Sequence, residues 1–175
     1  MTRDDIARTG NLLGAFALAV TDKIRDATEK AAGQGGMVPA ALVQVGGEPG
    51  QSIDHLRRCL GLSHSATVRV VMQLEERGWL LKTRSHAQDA RMATLNLTAA
   101  GEEVRARVLA ARQGLLESVT KTLPAPAHQH LTNLLELMLP RLIHSSDAAD
   151  HVCRLCDLQV CPQDICPAEP EKREV

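Results

Sequence analysis

Apolar positions recur at helical spacing over most of the chain. Ile6, Leu13, Phe16, Ala17, Val20 and Ile24 predict a long helix over residues 6–32. Gly33, Gly35 and Gly36 stop it. Pro39 suits the first turn of a short helix over residues 39–45, and residues 46–50 (Gly-Gly-Glu-Pro-Gly) form a loop. Ser52 caps a helix over residues 53–59 with Ile53, Leu56 and Leu60 on one side, and Gly61 ends it. Ser63 caps the next helix. Its inward stripe is Thr67, Val70, Val71 and Leu74, at i, i+3, i+4 and i+7, and Gly78 closes it. The period then changes. Residues 79–84 and 93–97 read as two short strands around a polar tip at residues 85–91, a β-hairpin. Thr98 opens a long helix over residues 98–122, broken by Pro124 and Pro126. A last helix over residues 127–144 carries Leu131, Leu134, Leu135, Met138 and Leu142, with Pro140 as the place for a kink. The fold class is therefore mainly α, a helix-turn-helix with a hairpin wing, flanked by long N- and C-terminal helices.

Composition narrows the function. The 175 residues suffice for one domain with a sizeable core, or two small ones. Phe16 and Trp79 are the only aromatic residues, so the core is built from Leu, Val, Ala and Met. Single-strand binding by stacked aromatics is excluded on the same ground. The net charge is only −1, but it is unevenly spread. Residues 55–91 hold seven Lys/Arg against three Asp/Glu, whereas residues 151–175 hold three against five. A basic middle is the footprint of a phosphate-contacting surface. The charged start (Met1 to Ile6) and a run at 12–20 too short to span a bilayer lead us to expect a cytoplasmic protein without membrane partners.

Two helices joined by a Gly-containing turn, followed directly by a hairpin, form the pattern of a winged helix-turn-helix. The second helix has an outward face of Ser65, Arg69, Met72 and Glu76, with Val68 beside it. Ser63, His64 and Ser65 stand at its N-terminus, where free amides favour a phosphate. That end of a recognition helix meets base edges in the major groove. Arg69 has the fork that bonds guanine, and Val68 the methyls that touch thymine. On the wing, Arg91 is the candidate for a minor groove and Asp89 for the carboxylate that orients it. Arg84, at the base of the wing, completes the DNA-binding set.

These residues resemble the winged helix of the MarR (multiple antibiotic resistance regulator) family. The resemblance rests on Leu62-Ser63-His64-Ser65, Leu74-Glu75-Glu76-Arg77-Gly78, Asp89-x-Arg91 and Leu97-Thr98-Ala99-Ala100-Gly101. With its helical flanks it covers about residues 5–145. It implies a homodimer whose terminal helices intertwine and whose two winged helices read a pseudo-palindromic double-stranded DNA. It further implies a regulator, in the common case a repressor, released by a small-molecule inducer or by cysteine oxidation. Ala90 stands where the family commonly has a second wing arginine, and the order Thr67-Val68 is reversed from the usual one. The resulting division is an N-terminal dimerisation helix at 1–36, the winged helix-turn-helix at 37–98, C-terminal dimerisation helices at 99–146, and a cysteine-rich tail at 147–175.

The tail is an addition to that architecture. Cys153, Cys156, Cys161 and Cys166 follow the spacing C-x2-C-x4-C-x4-C. Four thiolates this close can surround one tetrahedral metal ion, and the spacing matches a retroviral-type zinc knuckle with Cys161 in place of its histidine. Zinc is the favoured cofactor. An iron–sulfur cluster is the alternative, since Cys166-Pro167 resembles the Cys-Pro that closes bacterial ferredoxin motifs. Thiol–disulfide switching is the third reading, and soft ligands exclude magnesium and calcium. The expected role is a metal-stabilised clasp packed against the dimerisation helices. His151 is a possible substitute ligand, and Asp157 a possible partner to the thiolates. Cys59 reads as a small buried hydrophobe, with peroxide sensing as the minority reading. No catalytic constellation and no phosphate-cradling glycine loop is present, so an enzyme is not expected. A small redox enzyme and a partner-docking module using the tail remain the competing classes.

Overall fold

In the computed structural model the described residues are 2–84, 93–161 and 166–168, with Arg84 described by its backbone alone. The chain runs α1 (Arg3–Ala32), α2 (Val38–Gly47), β1 (Gln51–Ser52), α3 (Ile53–Leu60), α4 (His64–Glu76), β2 (Leu80–Arg84), β3 (Ala93–Leu97), α5 (Ala99–Thr120), α6 (Ala125–Met138), a 3-10 turn (Leu139–Leu142) and α7 (Ser146–Val152).

Local chemistry sets the boundaries. α1 starts three residues before the apolar pattern because Thr2 and Asp5 form a reciprocal capping box. The Asp5 amide donates to Thr2 Oγ1 at 3.2 Å, and the Thr2 amide donates to Asp5 Oδ2 at 2.8 Å. That bonding also holds the Asp5 carboxyl below its usual range. Ser52, Ser63 and Thr98 cap α3, α4 and α5 as the sequence predicts. The last long helix differs from expectation. It ends at Met138, and the chain tightens into the 3-10 turn because Pro140 has no amide to continue the ladder. Two elements escape the sequence reading. β1 is only two residues long, and α7 lies beyond the last predicted helix, which was placed at 127–144.

The sheet is antiparallel in the order β1-β3-β2, with Leu80 opposite Leu97 and Gln51 opposite Leu95. Leu42 of α2, Leu56 and Leu60 of α3, Leu74 of α4, Leu95 of β3 and Val108 of α5 are fully buried in one core. The inward stripe of α4 is as predicted, with Thr67, Val70, Val71 and Leu74 all buried. Burying such side chains stabilises by about 1.5–3 kcal/mol each. α1 and α5 pack along each other as a stalk on this core.

Thr98 ties the wing to the stalk. Its hydroxyl donates to the Gly78 carbonyl at 2.7 Å and accepts from the Gly101 amide at 3.1 Å. Gly101 itself leaves no room for a side chain, since a Cβ there would lie 2.1 Å from the Trp79 carbonyl oxygen. Gly101→Ala is therefore expected to destabilise the fold by about 1–3 kcal/mol, the range of forced overpacking. A urea titration followed by circular dichroism reads it, and an unchanged midpoint would contradict this packing.

Candidate nucleic-acid interface and cysteine-rich tail

α4 presents its polar face outward because its apolar stripe is fully used by the core. Ser63, His64, Ser65, Arg69, Met72 and Glu76 are exposed, and Val68 is half-buried. Ser63 also caps the helix. Its oxygen accepts the Ala66 amide at 3.3 Å as the helix cap and lies 3.3 Å from Ser65 Oγ. Thr67 turns inward, its hydroxyl donating to the Ser63 carbonyl at 3.0 Å. Arg69 forms no ion pair among the described residues, so its guanidinium is available to a ligand. By contrast the arginines of α3 are engaged: Arg57 and Arg58 both pair with Asp54, and the hydrogen bond from Arg57 holds that carboxyl below its usual range. Arg84 closes β2, but its side chain, Asp89 and Arg91 lie outside the described residues.

The tail folds back onto the helix-turn-helix. Ser145 caps α7, and α7 packs on α3. Arg58 Nε reaches Asp147 Oδ1 at 3.2 Å, and His151 Nδ1 lies 3.0 Å from the Cys59 carbonyl, to which only an N–H can donate. His151 therefore serves through Nδ1 as a tether to α3. Gly61, at φ +64°, makes room for that imidazole, since a Cβ there would sit 2.8 Å from His151 Cε1. The helix of the tail packs on α3, while Leu155 just beyond it packs against the main core.

The four thiols lie near one another: Cys156 and Cys166 both act on the Cys153 thiol, and Cys166 and Cys156 on that of Cys161. All four are half-buried and line one small cavity with Ala149, Leu158 and Ala168. Ile143, Ala149 and Ala168 are buried beneath them as a second core. The hydrogen bond from Cys153 lowers the pKa of Cys156, helped by the Arg112 guanidinium, and the same bond together with burial raises that of Cys153. Burial and the neighbouring Cys166 and Cys156 push Cys161 up. A soft divalent metal suits this set, because it replaces mutual repulsion among thiolates with shared ligation. Asp157 stands next to Cys156, and its charge opposes ionisation of that thiol. Its carboxylate accepts the Gln159 amide at 3.0 Å and shapes the turn between Cys156 and Cys161.

Cys59 is fully buried, as expected, yet it is not surrounded only by leucines. Its sulfur lies 3.3 Å from His55 Nε2, which is also 3.0 Å from Glu48 Oε2. Burial, then the charges of Asp150 and Glu48, push its thiol up to about 12, opposite to the depressed pKa that favours a peroxide-reactive thiol. Sequence reasoning missed His55, Glu48 and Asp150 altogether, because Asp150 reaches Cys59 only through the docking of α7.

The MarR family model matches residues 36–92, which span α2, α3, α4 and the first wing strand. The winged helix of this chain is similar to that of the MarR family. The solved MarR-family protein of Bacillus stearothermophilus is similar over 79% of this chain and 95% of its own, at 19% identity and a TM-score of 0.67. The YusO protein of Bacillus subtilis is similar over 79% and 97%, at 17% identity and a TM-score of 0.66. The MarR-family protein Rv2887 of Mycobacterium tuberculosis, solved in complex with DNA, is similar over 72% and 96%, at 23% identity and a TM-score of 0.55. At these identities the likeness establishes the MarR fold. No curated protein matches the sequence. Among the described residues no helix is long and apolar enough to cross a membrane.

Proposed function

We propose that the protein is a DNA-binding transcriptional regulator, acting as a homodimer on pseudo-palindromic operators, with a zinc ion held by Cys153, Cys156, Cys161 and Cys166. The observation that carries the DNA reading is the exposed polar face of α4 on a MarR-family winged helix, with Arg69 unpaired among the described residues. A family match of this kind favours a regulator over an enzyme. Repression is the mode we assign, since a dimer seated on an operator blocks whatever else would bind there.

The homodimer is supported by apolar surface that one chain leaves bare. Ile6, Leu12, Leu13, Phe16 and Leu18 of α1 are exposed, as are Leu134, Leu135, Leu137 and Met138 of α6 and Leu142 beyond it. Scattered apolar residues are ordinary, but two such runs on the terminal helices mark an interaction surface. A small-molecule inducer is supported by a cavity of about 470 Å³ between α1, α2, α5 and the tail. Arg25, Arg112 and Arg154 line it against one carboxylate, Glu29, and this positive balance suits an anionic ligand.

The test begins with selection of tight-binding duplexes from a random pool. On the selected duplex, Arg69→Ala is expected to weaken binding by about 5- to 150-fold, the 1–3 kcal/mol of a lost base contact, and to relax preference at one position of each half-site. Unchanged affinity and preference would remove Arg69 from the interface. The metal reading is tested by anaerobic purification. A colourless protein with zinc in the tail supports it, whereas a brown protein with iron and sulfide replaces zinc with an iron–sulfur cluster.

A further inference from the structure

One cluster outside the tail thiols and the α4 face brings three ligand chemistries to a single point. His55 and Cys59 stand one turn apart on α3, so they share a face. α7 presses Asp150 against both. The imidazole nitrogen, the sulfur and the carboxylate oxygen all lie within 4.8 Å of one another. Glu48, from the end of α2, brings a second carboxylate to 3.0 Å from His55 Nε2. The same nitrogen faces Cys59 Sγ at 3.3 Å. One imidazole nitrogen carries at most one proton, and one proton serves only one of these two neighbours well. A cation at that point serves every donor at once.

We propose that His55, Cys59, Asp150 and Glu48 form a second metal site, for a zinc-class divalent ion, separate from the four thiols of the tail. One nitrogen, one sulfur and two carboxylate oxygens are a borderline-soft set, which selects zinc over magnesium or calcium. Donors of a tetrahedral zinc site stand roughly 3.3–3.8 Å apart, so the present spacing needs only side-chain adjustment. The ion has access, because Glu48, His55 and Asp150 line a cleft of about 290 Å³ together with Cys153 and Cys156. The frame is already held by Arg58–Asp147 and by His151 on the Cys59 carbonyl. Asp150 precedes Cys153 by three residues at the end of α7. An ion in this site therefore pins to α3, the first helix of the helix-turn-helix, the same short helix that leads into the tail thiols. Metal supply then acts directly on the DNA-reading unit.

The experiment titrates metal-free, reduced full-length protein with cobalt(II), whose visible bands report thiolate ligation. The wild type is expected to take two equivalents per chain. His55→Gln/Asp150→Asn is expected to take one equivalent less, with its far-ultraviolet circular dichroism unchanged and the strong multi-thiolate band of the tail retained. Asp150→Asn alone, a mild change at the cleft, is expected to weaken that equivalent at least tenfold. A variant series that binds as much cobalt as the wild type, equally tightly, overturns the proposal. Failure of the tail reading is distinguishable: without a tail site the wild type takes one equivalent, and the double variant takes none. Loss of the multi-thiolate band in the double variant, with no other loss, would instead assign the cobalt to the tail and overturn the second site.

Discussion

Glutamate in place of both Leu134 and Leu142 is expected to give a monomer whose affinity for a two-half-site operator falls roughly 100- to 10,000-fold. Those side chains are 54% and 77% exposed in the single chain, so their replacement leaves the chain's own core intact. They sit in the same bare apolar run as Leu135, Leu137 and Met138. In a dimer, the second winged helix binds at high effective concentration once the first has landed, and that multiplication is worth about 10²–10⁴. A monomer forfeits it without losing one base contact. Light scattering reads the mass, and fluorescence anisotropy on one duplex with both half-sites reads the affinity. Circular dichroism is expected to be unchanged. A variant that stays dimeric would place the dimer interface elsewhere.

The second large effect is expected from Cys153→Ser/Cys156→Ser. Two of four thiolate ligands are removed, and the tail is expected to lose its metal outright. Structural zinc in small peptides binds with about 10–16 kcal/mol of apparent free energy, which is also folding free energy. Among the described residues, the buried members of the second core under the thiols are Ile143, Ala149 and Ala168, too little to hold the segment by burial alone. Amide exchange over residues 146–156 is expected to rise at least about a hundredfold, a modest share of that energy. Exchange in α5 is expected to stay as it was, because its contacts are in the main core. Unchanged metal content and unchanged exchange would show the tail to be held by packing alone.

Much of this architecture is legible in the sequence, for identifiable reasons. The stripe Thr67, Val70, Val71 and Leu74 has a helical period strong enough to orient α4, and with it the face that carries Ser65 and Arg69. The caps Ser52, Ser63 and Thr98 each announce a helix start by chemistry that acts within three residues. Legibility fails where a position depends on distant contacts. β1 exists only because Gln51 and Ser52 find Leu95 and Thr94 across the sheet. α7 is too short to show a period, and its place on α3 depends on Arg58–Asp147 and on His151. The cluster of His55, Cys59 and Asp150 inherits that difficulty, for nothing in the local sequence of α3 points to a partner about 90 residues away. That the four cysteines line one cavity, by contrast, is expected from their close spacing.

The most direct test of the whole account is a hydroxyl-radical footprint of the purified protein on its selected duplex. The account predicts two protected half-sites whose centres lie about 10–10.5 base pairs apart, or a multiple of that, as two copies of α4 in successive major grooves require. One protected patch, or no duplex that outcompetes random DNA, would contradict it.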